Sequence, residues 1–229
     1  MSGAELTKLS IDQVTSHAES GDAVAQAELG IRYALGNGVK KDSYTSYFWL
    51  KKSADQGDAR GMALVGVCYF FGEGVGRNCH EAIKWYELAV KKGDKLAMAR
   101  LGQIYLHGVH IGRDLDKAFQ LFFKAATKGQ IIAQYELGMM YLSDEAGRHD
   151  VNEAFLWLKK AARKGFAKAQ FKLANMYSRG EGIKPDPEEA GHWFKEAAEQ
   201  GHAKAKEQLD LAVIAPRMPA PCDNRAVGQ

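Results

Sequence analysis

A chain of 229 residues with 31 basic and 28 acidic side chains carries a net charge of only +3, too weak a field to select nucleic acid or an anionic membrane surface as a partner. It holds no apolar run of the roughly 18 residues that a membrane span needs, and the opening Met1 to Lys8 lacks the basic start and apolar stretch of an export signal, so a cytoplasmic location is expected. The three cysteines, Cys68, Cys79 and Cys222, are an odd set that fits reduced thiols better than a disulfide framework.

In chain order the dominant feature is a glycine at Gly21, Gly57, Gly93, Gly129, Gly165 and Gly201, always 36 residues apart, with Tyr33, Tyr69, Tyr105, Tyr141 and Tyr177 in the same register. Such a period belongs to units that pack on their neighbours in an array, and an all-α, elongated domain is predicted. Residues 1–20 hold an N-terminal capping helix over about Ser10 to Ser20. Five repeats follow at 21–56, 57–92, 93–128, 129–164 and 165–202. Each reads as two helices, in the first copy about Ala23 to Leu35 and Ser43 to Gln56, with later first helices starting near Ala59, Lys95, Ile131 and Ala167. A last helix, 203–214, closes the array, and 215–229, with Pro216, Pro219 and Pro221, is read as a mobile tail.

Ala25, Leu29, Gly30 and Tyr33 share one face of the first helix. A glycine inside a helix costs about 1 kcal/mol against alanine, so its recurrence at Gly30, Gly66, Gly102 and Gly138 predicts close approach of the second helix. There Ala82, Trp85 and Ala89, and their counterparts in the fourth and fifth copies, suggest small residues admitting the backbone with tryptophan filling the gap. Asp42, Asn78, Asp114, Asp150 and Asp186 are predicted to cap the second helices, with Glu81, Glu153 and Glu189 completing capping boxes.

Leu101-Gly102, Tyr105, Gly108, Asp114, Ala118, Lys124-Ala125-Ala126 and Gly129, and in the fifth copy Ala169-Gln170, Leu173, Tyr177, Gly180-Glu181-Gly182-Ile183, Asp186, Ala190, Trp193, Ala197-Ala198 and Gly201, resemble the Sel-one-like repeat consensus over about residues 17 to 209. The resemblance implies a right-handed α/α superhelix, related to tetratricopeptide repeats, whose first helices line a concave face. It also implies an adaptor or scaffold, in signalling, protein quality control, bacterial host interaction or effector immunity. Catalysis is unusual in that family. Its cysteine-rich, β-lactamase-like branch staples each repeat with a disulfide, and this sequence lacks the cysteine pairs.

Several stretches carry possible chemistry. Gly72-Glu73-Gly74-Val75-Gly76 has the look of a phosphate loop, but it follows a helix and recurs as Gly36-Asn37-Gly38 and Gly180-Glu181-Gly182, as an inter-helix turn would. His107 and His110 lack the further partners a closed metal site needs, so no metal or cofactor is assigned. Ser143 to His149 replaces the glycine turn with acid–base groups, and a hydrolase site around Asp144, Glu145 and His149 is the alternative to a scaffold; no catalytic residue is assigned. Cys68 is read as packing and Cys222 as an accessible thiol.

One line on the first helices changes identity from copy to copy while the packing positions do not: Val24, Glu28, Ile31, Leu35; Arg60, Leu64, Val67, Phe71; Leu96, Arg100, Gln103, His107; Ile132, Glu136, Met139, Ser143; Lys168, Lys172, Asn175, Arg179. The expected partner-binding residues are Ile31, Leu35, Leu64, Val67, Phe71, Arg100, Gln103, His107, Glu136, Met139, Lys168, Lys172, Asn175 and Arg179, apolar at one end and basic at the other. They would hold a protein or peptide in the groove of a monomer.

Overall fold

The computed structural model describes residues 3–145 and 147–214, with side chains as far as Leu209. The expected tail 215–229, and Cys222 with it, lie outside the described residues. The chain divides into two compact units, Met1–His149 and Asp150–Gln229, and every regular element among the described residues is a helix.

The first unit runs through α1 (Gly3–Leu6), α2 (Ile11–Glu19), α3 (Ala23–Leu35), α4 (Ser43–Asp55), α5 (Ala59–Phe71), α6 (Cys79–Lys91), α7 (Lys95–His107), α8 (Leu115–Thr127) and α9 (Ile131–Leu142). From α2 onward each helix packs on the next, and the contacts α3 to α5 and α5 to α7 set the first helices of successive repeats side by side. The second unit holds α10 (Val151–Arg163), α11 (Ala167–Arg179), α12 (Pro187–Glu199) and α13 (Ala203–Ile214), again each on its successor. The first helices begin where the periodicity predicts.

The start of the chain is richer than a lone capping helix. Leu6 of the short α1 is fully buried with Val14, Ala25 and Leu29. Arg32 holds this segment by donating to the carbonyls of Leu6 and Leu9, each at 2.9 Å, and to Glu28 Oε1 at 3.3 Å. Glu28, predicted to belong to the variable outward stripe, is therefore buried, because its carboxylate pairs with a buried guanidinium.

The helical glycines do mark close approach, but of a side chain. A Cβ at Gly30 would stand 2.7 Å from Leu50 Cγ, at Gly66 2.6 Å from Tyr86 Cε1, and at Gly102 2.8 Å from Phe122 Cε1. Leu50, Tyr86 and Phe122 are buried, as are Leu158 and Phe194 at the same register in the second unit, and burying each large side chain contributes about 1.5–3 kcal/mol. The tryptophan one residue earlier does not fill this gap: Trp49 and Trp85 are half-buried. Trp157 and Trp193 are buried and donate their indole N–H groups to Glu153 at 3.0 Å and Glu189 at 2.9 Å.

Those bonds engage Glu153 and Glu189, two of the three glutamates expected to close capping boxes. The aspartate and asparagine caps form as predicted, yet the backbone N–H groups of Asp42, Asn78, Asp114 and Asp186 donate to the carbonyls of Tyr33, Tyr69, Tyr105 and Tyr177 at 2.8–3.0 Å. With the Asn78 and Asp186 amides satisfied in this way, Glu81 pairs with Lys84 and Glu189 accepts from Trp193; Glu153 accepts from Trp157.

Two substitutions separate propensity from packing. Gly191, inside α12, has nothing within 4 Å of an added Cβ, so Gly191→Ala is expected to raise stability in urea unfolding by about 1 kcal/mol. Gly102→Ala is expected to lower it by about 1–3 kcal/mol, since Phe122 has to move. Arg32→Leu, which strips Glu28 of its nearest cation, is expected to cost about 3 kcal/mol and to speed amide hydrogen exchange over residues 3–9.

Candidate partner-binding face

In the first unit the variable line gathers into hollows between consecutive repeats. Ile31 and Leu35 from α3 and Leu64 and Val67 from α5 line a hollow of about 150 Å³ whose other walls include Leu50 and Cys68. Ile31, Leu64 and Val67 are half-buried, whereas Leu35 is 72% exposed and Phe71 53%. Phe71 packs edge-on against Phe70, with ring centroids 5.1 Å apart, and the Arg100 guanidinium lies 5.9 Å from its ring. Burial pushes the Cys68 thiol up to about 11, so it stays protonated and unreactive at neutral pH.

Arg100, Gln103 and His107 line a cleft of about 240 Å³ together with Phe70, Tyr86, Ile104 and Val109. His107 also borders the next one, about 250 Å³, which contains Glu136, Met139, Ser143 and Glu145. Gln103 links the two: it accepts from Arg100 Nη1 at 3.4 Å and donates to Glu136 Oε1 at 3.1 Å. Within the first cleft the Tyr86 hydroxyl and Arg100 Nε are buried and make no hydrogen bond, which costs about 1–3 kcal/mol for each such group. Burial raises the Tyr86 pKa far above its ordinary value, keeping the hydroxyl protonated.

In the second unit Lys168 and Arg179 of α11 are exposed and Lys172 and Asn175 half-buried. The basic character read there is tempered by Glu181 in the following turn, 3.5 Å from Arg179 and 3.9 Å from Lys172. Asn175 donates to the Phe171 carbonyl at 2.8 Å. Glu181 stands in the glycine turn, a position that an outward helical stripe leaves out of account.

The other candidate stretches have structural occupations. Gly72 ends α5 with φ +79°, and an added Cβ at Gly74 would fall on the Ser43 carbonyl at the start of α4; this loop is an inter-helix turn. In the fourth-repeat loop Glu145 accepts from Arg113, and Arg148 donates to Asp116 at 2.8 Å. These charges clasp the preceding repeat, a pairing across about 32 residues that local reading could not see. His110, at φ +61°, takes the register position of Gly38, Gly74 and Gly182, and its ring lies 6.1 Å from that of His80. Among the described residues no three His, Cys, Asp or Glu side chains converge as metal ligands, and no helix is long and apolar enough to cross a membrane.

The Sel1 repeat sequence profile matches residues 23–58, 59–94, 95–130, 131–166 and 167–202. No curated protein sequence matches the chain. Among solved structures it is similar to a Sel1 repeat protein from Oxalobacter formigenes, with 29% identity and a TM-score of 0.79 over 88% of this chain and 58% of that one. It is also similar to a protective antigen present in uropathogenic Escherichia coli strains, with 27% identity and a TM-score of 0.68 over 93% and 54%. The chain thus spans little more than half the length of these two proteins. An immunity protein from Pseudomonas aeruginosa, 19% identical with a TM-score of 0.59 over 92% and 80%, shares the fold. Five consecutive matches in constant register cover most of the sequence, and the chain belongs to the Sel1 repeat family.

Proposed function

We propose that the chain is a protein-binding scaffold whose first unit receives a partner polypeptide on the face formed by α3, α5, α7 and α9. The observation that carries this reading is the exposure of Leu35 and Phe71 beside the hollow of Ile31, Leu64 and Val67, at positions the packing leaves free to vary. Large apolar side chains left in water next to a concavity are what a partner's own apolar anchors would cover. Sel1 repeat proteins generally mediate protein–protein interaction, which supports it. Arg100, Gln103, His107, Glu136 and Met139 would add polar and adaptable contacts along the same face, and Lys168, Lys172, Asn175 and Arg179 offer the second unit's own surface to an acidic partner. Helices already fixed by their neighbours lose little order on docking. A monomer that meets its partner through this face is the expected free state.

An immunity role is one form of this reading, suggested by family precedent alone. Its test is co-expression with any toxin encoded beside the gene, where a stable one-to-one complex supports it and no association removes it. The wider proposal is tested by affinity capture from native lysate with wild type and Phe71→Asp side by side. Phe71→Asp is expected to lose a partner that wild type retains while keeping its helical circular dichroism and melting midpoint. A variant that melts early would show that Phe71 is a core residue and contradict the assignment of the face.

A further inference from the structure

We infer that the cleft between α5, α6 and α7 is a carboxylate-binding subsite, in which the Arg100 guanidinium and the Tyr86 hydroxyl donate to one carboxylate. The position of Tyr86 is filled by Leu50, Phe122, Leu158 and Phe194 in the other repeats, so packing over the helical glycine calls for an apolar side chain and has no use for a hydroxyl. Repeat two alone carries one, fully buried and without a partner. Arg100, contributed by repeat three from a variable position, borders the same cleft with a second buried donor, Nε, that meets nothing. Two unanswered donors, one of them on a cation, call for an anionic acceptor. The guanidinium fork matches a carboxylate in shape and charge.

The remaining walls, Phe70 and Ile104, are apolar, and at about 240 Å³ the cleft suits a carboxylate on a short hydrocarbon stem. Gln103 and His107 stand at its edge. The buried donors require the half-exposed Arg100 side chain to shift as the ligand enters. The subsite deepens the scaffold reading, on which it depends only for the natural source of the carboxylate: a polypeptide C-terminus or an Asp or Glu side chain.

The test is titration of the full ¹⁵N-labelled chain with N-acetyl-leucine, bearing a C-terminal carboxylate; N-acetyl-glutamic acid α-amide, bearing a side-chain carboxylate; and N-acetyl-leucinamide, bearing neither. At least one acid is expected to shift the Gln103 and His107 resonances saturably, with the leucinamide at least tenfold weaker; the tighter acid identifies the source. Arg100→Gln is expected to weaken acid binding at least tenfold. Tyr86→Phe is expected to weaken it two- to fivefold while holding or raising the unfolding midpoint, an outcome that a purely structural hydroxyl would not give. Equal binding of acid and amide, an unchanged affinity in folded Arg100→Gln, inorganic phosphate binding as tightly as the acids, or no saturable shift with either acid would overturn the subsite. Retention of a Phe71-dependent partner alongside any of these results would leave the scaffold reading standing.

Discussion

The structure depends on a contact between a side chain and a missing Cβ. In the first unit Leu50, Tyr86 and Phe122 lie on Gly30, Gly66 and Gly102 so closely that even a methyl group would overlap them. The glycine is a poor helix former, but its absence of side chain lets the second helix of these repeats place a large buried side chain against the first helix's backbone. The gain in buried surface exceeds the loss in propensity. Because the glycine and its cover come from the two helices of one repeat, the contact fixes the pairing within each of the first three copies. The alanines at the same interface, Ala63, Ala82, Ala89 and Ala97, are buried along with Tyr86 and Leu101. They set how near the next copy comes.

A scaffold fixed in this way divides its residues into two kinds. Packing positions hold to a narrow choice of size and polarity, whereas the outer line of the first helices is free to carry almost anything, and it carries isoleucine, leucine and phenylalanine beside arginine, glutamine and histidine. The hollows between repeats are lined by both kinds. Their floors belong to the packing and their rims to the variable line. A departure from the common choice at a packing position, such as the hydroxyl of Tyr86, is informative for the same reason: the scaffold does not ask for it, and it remains unpaired.

The fold was legible because its signals are local and repeated. The 36-residue register located the starts of the first helices, their second-helix aspartate caps and the role of the glycine turns. What escaped was partner choice over distance. Trp85 drew attention by size, yet the neighbouring Tyr86 points inward, since one position along a helix rotates a side chain by about 100°. Glu153 and Glu189 have the spacing of capping boxes, but spacing cannot reveal that a tyrosine carbonyl nine residues upstream already takes the Asp186 amide. In the candidate site, outward orientation was readable for Leu35 and Phe71, while the burial of Glu28 depended on Arg32, and the partial neutralisation of Lys172 and Arg179 on Glu181. The fourth-repeat loop invited an acid–base reading because Arg113 and Asp116, which occupy its charges, lie in the preceding repeat.

The most direct measurement is a double-mutant cycle on Gly66→Ala and Tyr86→Ala, followed by urea unfolding. With Tyr86 in place the added methyl at residue 66 meets the ring at 2.6 Å and destabilises the chain. With Tyr86 cut back to alanine, the same methyl faces empty space and is expected to stabilise by about 1 kcal/mol through helix propensity. A reversal of sign between the two backgrounds is the expected result; an identical effect of Gly66→Ala in both would contradict the glycine–side-chain contact as the element that pairs the two helices of the repeat.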